Sequence, residues 1–149
     1  MIDKDMIFLD ADFNTKGEIF NYIADAAVDK SLINSKDEFI SGLYFREGLM
    51  STSLDFNIAI PHVKSSAIES DFISYMKLKK DIIWNEDDDQ PTNQIFMIAV
   101  TEGGSNRHLQ YIAEISRNLI DEDFRNRLRN ANTKKEIYKI LNCVNMEGK

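Results

Sequence analysis

The chain has 149 residues, 43% of them hydrophobic, and a formal net charge of −7. A length of this order fits one domain around one core, here residues 1–149, and the hydrophobic share excludes global disorder. The acidity excludes nucleic acid as a partner, since phosphate backbones select basic patches; it serves solubility, or offers a surface to a basic protein.

Along the chain, Met1-Ile2-Asp3-Lys4-Asp5 lacks the basic start and apolar stretch of a signal peptide. Met6 to Leu9 reads as a short strand. Thr15 and Glu18 form a capping-box pattern ahead of Ile19, Phe20, Ile23 and Ala27 at helical spacing. Ser35 and Glu38 repeat it ahead of Phe39, Ile40 and Leu43. Asn57 to Ile60 is a short strand bounded by Pro61. In Phe72 to Leu78 the residues Phe72, Ser74, Met76 and Leu78 share one face, and Ile82 to Trp84 is another short strand. Asn85 to Asn93 clusters carboxylates and reads as a solvated loop; it lacks the spaced oxygen ligands and glycine of a calcium loop. Ile95 to Val100, continuously apolar, has the pattern of a central buried strand.

The loop Thr101 to Asn106, with Gly103-Gly104 in it, leads to a helix whose stripe is Leu109, Ile112, Ile115 and Leu119. Asp121 and Asp123 open a further helix through Leu128. Thr133 and Glu136 cap the last, which carries Ile137, Ile140, Leu141 and Val144. Cys143, the only cysteine, forms no internal disulfide and has no ligand cluster around it, as suits a reduced cytoplasmic protein. No apolar run approaches the roughly 18 residues of a membrane span, so a soluble chain without direct membrane insertion is expected. Helices and strands mixed in this way predict a layered α/β or α+β domain.

The chemistry rests on two histidines. His62 follows Pro61, which fixes its own φ and donates to no ladder, so the chain is expected to leave the sheet there and present His62 at a sheet end. His108 opens the helix after the central strand. If the two strands are neighbours, the imidazoles share one site. Two histidines and a distant cysteine fall short of the four ligands that zinc takes. No G-x-S-x-G, P-loop or dinucleotide fingerprint occurs. An accessible histidine is left with acid–base work or covalent carriage of an electrophile.

Arg46-Glu47, Ser51-Thr52 and Ile58-Ala59-Ile60-Pro61-His62 together resemble the phosphorylation-site signature of the fructose/mannitol-type IIA component (EIIA type 2 domain) of the bacterial phosphoenolpyruvate-dependent sugar phosphotransferase system. The likeness continues through Ile82-Ile83-Trp84, Ile98-Ala99-Val100, His108-Leu109, Ile112, Ser116, Leu119, Asp121-Glu122, Phe124-Arg125 and Leu128. Ser53-Leu54-Asp55-Phe56-Asn57 departs from it, having no glycine where the family has several. Val63 also stands where a glycine usually follows the histidine.

This resemblance implies a single α/β domain with a mixed β-sheet flanked by helices on both sides. It implies that His62 accepts a phosphoryl group on Nε2 from the phosphohistidine carrier protein HPr. The group then passes to a cysteine of the EIIB component, while the EIIC membrane component moves a sugar, of the fructose type. Arg46 and His108 are implied as supporting groups at the phosphoryl oxygens, and Thr52 as a further phosphate contact. No cofactor or metal is implied. The alternative is a nitrogen-type regulatory module whose His62 phosphorylation state controls partner binding.

Overall fold

The computed structural model describes residues 2–87, 89–103 and 106–144; Asp88 of the acidic loop and Gly104 of the glycine pair lie outside them. Six strands form one mixed sheet: β1 (Ile2–Ala11), β2 (Ser53–Leu54), β3 (Ile58–Ala59), β4 (His62–Ser65), β5 (Phe72–Ile83) and β6 (Pro91–Thr101). The helices are α1 (Lys16–Asp29), α2 (Lys36–Leu49), α3 (Arg107–Leu119), α4 (Glu122–Asn130) and α5 (Lys134–Asn142). Among the described residues, no helix is long and apolar enough to cross a membrane.

The spatial order is β1-β5-β6-β3-β2, with β4 also on β6. β6 sits at the centre because Ile95 to Val100 is apolar on both faces, and both faces are covered. On one side Ile95, Met97 and Ala99 join Met6, Met76 and the buried residues of α1 and α2, including Phe20 and Phe39. On the other, Phe96, Ile98 and Val100 join Ile7, Ile73, Tyr75 and the buried residues of α3, α4 and α5. Alternation along the strands thus assigns successive residues to two separate cores.

The capping hydroxyls act as expected. Thr15, Ser35 and Thr133 each accept the backbone N–H three residues on. At Thr15 the Glu18 carboxylate also returns the bond, accepting the Thr15 N–H at 3.1 Å. Asp121 caps α4 by accepting from the Asp123 N–H.

Several elements differ from the sequence expectation, β1 by running Ile2–Ala11 rather than Met6 to Leu9. β5 is one long strand rather than two short ones; a register shift between Lys77 and Ile82 interrupts its pairing with β6 without ending it. In α3 the buried positions are Tyr111, Glu114, Ile115 and Leu119, while Leu109 is exposed. Most important for the site, the chain does not leave the sheet at Pro61. Ala59 faces Ile95 and His62 faces Ile98, so β3 and β4 are two halves of one line along β6, in unbroken parallel register. Pro61 lacks a donor, but its carbonyl still accepts the Ile98 N–H at 3.0 Å, and the ladder resumes at His62.

Candidate functional site

β2 lies against β3 as far as the bond from the Ile60 N–H to the Thr52 carbonyl, 2.9 Å. Beyond it β4 pairs with β6 on one side, and α2 packs nearby. His62 sits at this step, half-buried, on the first residue of β4. The close packing of α2 on β4 is made possible by Gly42: a Cβ there would lie 2.7 Å from Val63 Cγ2. The side chain that Val63 adds beside His62 is thus accommodated by a glycine on the opposing helix.

Arg46 is in the last turn of α2. Its guanidinium makes two bonds, Nη1–H to the Met50 carbonyl at 2.7 Å and Nε–H to His62 Nε2 at 2.9 Å. The first satisfies a carbonyl just past the helix end and fixes the guanidinium; the second aims it at the imidazole. Guanidinium can only donate, so Nε2 is the accepting nitrogen and the ring proton is assigned to Nδ1. Nδ1 lies 3.0 Å from the Ile60 carbonyl, which accepts the hydrogen bond from Nδ1–H. The ring is therefore held at both ends in one tautomer, with the Nε2 lone pair turned towards Arg46.

Burial holds His62 below the ordinary imidazole range. The charges of Arg46 and His108 push the same way, against the pull of the Ile60 carbonyl and Glu47. Near neutral pH His62 is an uncharged base with its nucleophilic nitrogen already selected.

α3 brings His108 alongside. The two imidazoles lie 6.1 Å apart between centroids with an interplanar angle of 28°. His108 is half-buried, and its Nδ1 has no hydrogen-bond partner among the described residues. Its pKa is lowered as well, by burial and then by Lys64. Arg46, His62 and His108, chosen from the sequence, thus converge on one place.

Thr52 behaves differently. It is buried, and its hydroxyl donates to the Glu47 carboxylate. Glu47 was named in the sequence signature without a role. Its side chain is only 5% exposed and pairs with Lys16 Nζ at 3.3 Å. It also accepts the Thr52 N–H and the Trp84 Nε1–H, each at 3.3 Å. A buried carboxylate with four donors is well compensated, and here it ties the end of α2 to β2 and to the β5–β6 turn. Its neighbour Arg46 was a legible clue, whereas Lys16 and Trp84 come from chain segments that no spacing rule connects to it. No group of three or more His, Cys, Asp or Glu residues suited to a metal ion occurs among the described residues.

Known proteins resemble this chain in sequence and in fold. Residues 1–143 match the family described as "Phosphoenolpyruvate-dependent sugar phosphotransferase system, EIIA 2". A "PTS system fructose-specific EIIA component" from Haloferax volcanii is 31% identical over 137 residues, covering 92% of this chain and 89% of that one. Other curated relatives are longer, and the chain spans 17–22% of several of them. In fold, the chain resembles the nitrogen regulatory protein IIA-Ntr from Neisseria meningitidis, with a TM-score of 0.85 at 21% identity, over 94% of this chain and 95% of that one. It also resembles the complex of enzyme IIA-mannitol and phosphorylated enzyme IIB-mannitol from Escherichia coli, with a TM-score of 0.79 at 20% identity, over 95% and 99%. The chain belongs to the EIIA type 2 family of the phosphoenolpyruvate-dependent sugar phosphotransferase system, whose members are phosphotransferases that carry a phosphohistidine.

Proposed function

We propose that His62 Nε2 is the phosphoryl carrier of a fructose-type sugar uptake system, charged by phospho-HPr and discharged to a cysteine of an EIIB component. The observation that carries this reading is the imidazole held between the Ile60 carbonyl and Arg46, neutral and with its basic lone pair on Nε2. In the first transfer that lone pair attacks phosphorus. The P–N bond to the donor breaks as the P–N bond to His62 forms, and the proton stays on Nδ1, hydrogen-bonded to the Ile60 carbonyl. In the second, a thiolate of EIIB attacks, a P–S bond forms and His62 regains its lone pair.

Arg46 must release Nε2 for this to occur. Its Nε–H then donates to a phosphoryl oxygen, exchanging a neutral acceptor for an anionic one. His108, beside the ring and with a nitrogen unpaired, supplies a further donor to the phosphoryl group as charge redistributes. Thr52 acts through Glu47, since its hydroxyl proton is already given to that carboxylate. Leu49 and Met50, 68% and 71% exposed at the end of α2, and Leu109 beside His108 supply an apolar rim on which protein partners dock. The EIIC membrane component is then a partner at one remove, and the working compartment is the cytoplasm. The fructose assignment follows the name of the Haloferax relative. The regulatory, nitrogen-type alternative has the fold of the Neisseria protein in its favour.

The deciding experiment supplies phosphoenolpyruvate and the two general phosphotransferase proteins, maps the acid-labile phosphate, then adds an EIIB domain. We expect label on His62, its passage to the EIIB cysteine, and no labelling of His62→Ala. Labelling of the alanine variant at the wild-type rate would remove His62 from the reaction. Labelling without onward transfer would favour the regulatory reading.

A further inference from the structure

His108 owes its position to very little of its own. Its Nδ1 has no partner among the described residues. It is the second residue of α3, a helix whose N-cap, Asn106, makes no side-chain cap bond and whose first turn carries no acidic residue. Helix starts of this kind fray, because their first N–H groups are unsatisfied. The body of α3 is firmly packed through Tyr111, Ile115 and Leu119, but these lie one turn or more beyond His108.

What holds the first turn comes from elsewhere in the chain. Asp71 immediately precedes β5 and its side chain is 9% exposed. It receives Arg107 in a two-pronged bond, Nε–H to Oδ2 at 2.7 Å and Nη2–H to Oδ1 at 3.1 Å. The Thr101 N–H, at the end of β6, reaches Oδ1 at 2.9 Å, and the Tyr111 hydroxyl reaches Oδ2 at 3.3 Å. Arg107 Nη2–H also reaches the Thr101 hydroxyl at 2.9 Å. One carboxylate thereby ties together the end of β6 and the first two turns of α3. Burial opposes the charge on Asp71, yet Arg107 and the Thr101 amide hold its carboxyl below the usual carboxylate range.

We propose that Asp71 is a positioning residue for phosphoryl transfer: by gripping Arg107 it fixes the first turn of α3 and so sets His108 beside His62. This rests on the reading in which His62 carries the phosphoryl group and His108 supports it. Adjacent helical side chains diverge by about 100°, so Arg107 can turn to Asp71 while His108 turns to the site. The fork geometry of the Asp71–Arg107 pair defines orientation as well as distance, which a point charge does not. Loss of the grip leaves Tyr111, Ile115 and Leu119 packed, so the helix persists while its first turn, and the imidazole it carries, loosens.

Two measurements on Asp71→Asn test the proposal. Transfer from phospho-HPr to His62 should slow by about tenfold to a hundredfold, the scale of a misplaced group. In the His108→Ala background the same substitution should cost no more than about twofold, because the residue through which it acts is gone. The second measurement needs no phosphoryl donor: the nuclear Overhauser contact between the His62 and His108 rings in the resting protein should weaken in Asp71→Asn. It therefore still reads positioning if the transfer reading itself fails, and the two failures are told apart. Arg107→Lys keeps the charge and loses the fork, so it should fall between wild type and Asp71→Asn in both measurements; it serves if Asp71→Asn does not fold. An undiminished ring–ring contact in both variants would overturn the proposal, as would an equal loss of transfer rate with and without His108.

Discussion

In the proposed transfer, His62 is prepared by its neighbours rather than by a general base. The Ile60 carbonyl accepts the hydrogen bond from Nδ1–H, which leaves the basic lone pair on Nε2, and burial with Arg46 holds the ring's pKa below its ordinary value, so that it is neutral. Transfer from phospho-HPr should therefore hold its rate as pH falls to about 6.5, the ordinary imidazole value, and drop only further down as the ring protonates. Stability carries the same sign. Both imidazoles have lowered pKa values in the folded chain, so the unfolded chain takes up protons first as pH falls. Their contribution is complete above about pH 6.5 and is lost progressively below it, which urea unfolding at a series of pH values would show. Removing the guanidinium in Arg46→Ala should raise the His62 pKa towards its ordinary value. It should also slow transfer by about tenfold to a hundredfold, or about 1.4–2.8 kcal/mol. Arg46→Lys should recover part of the rate, since an ammonium cannot bond the Met50 carbonyl and a phosphoryl oxygen with one planar fork. Histidine titration by NMR and quench-flow transfer measure the two effects separately. An unchanged rate in Arg46→Ala would refute its role.

The elements that carry these residues were legible to different degrees, for reasons of range. Helix starts at Thr15, Ser35, Asp121 and Thr133 could be read because a cap and its amide are two or three residues apart. The central strand could be read because burial on both faces leaves a continuous apolar run. Leu109 was misassigned because α3 turns Tyr111 and Glu114 inwards, a face that the apolar residues alone do not mark. The continuation of the sheet through Pro61 was illegible, since the register is set by β6, more than thirty residues on. The hairpin before His62 shows another local departure. Its loop residues Phe56 and Asn57 take φ of 69° and 65°, the left-handed region that glycine enters at no steric cost. Phe56 is held there by Arg125, whose guanidinium carbon lies 3.8 Å from the ring centroid.

The pairing of Gly42 with Val63 gives the sharpest test at this scale. Gly42→Ala gains about 1 kcal/mol of helix propensity but forces a methyl into Val63, which typically costs about 1–3 kcal/mol. A net loss of up to about 2 kcal/mol in denaturant unfolding is expected. Because α2 carries Arg46, the forced separation from β4 should slow transfer as well. Adding Val63→Ala should restore much of both, and failure of that second substitution to help would place the strain elsewhere.

At the scale of the whole molecule, the sheet divides the chain into two cores and places the His62 ring where both sets of helices approach its edge. Arg46 comes from α2 on one face and His108 from α3 on the other, so the candidate site bridges the two layers. The apolar rim bridges them too: Leu49 and Met50 end α2, and Leu109 lies on the outer side of α3. An imidazole recessed to half-burial admits one protein at a time, so in the proposed transfer donor and acceptor use this rim in turn. HPr and EIIB should consequently compete, with overlapping chemical-shift footprints centred on His62, Met50 and Leu109. Exposed apolar residues at the centre of such a surface are candidates for dominant binding contacts. Met50→Asp should weaken both complexes by about tenfold, or about 1.4 kcal/mol, by placing a charge where a dry contact forms. It should leave folding intact, since Met50 is 71% exposed and only its carbonyl is used, by Arg46. Titration calorimetry with each partner, and with both together, would measure this. Simultaneous binding, or a loss confined to one partner, would show that donor and acceptor use different faces and that the rim serves only one of them.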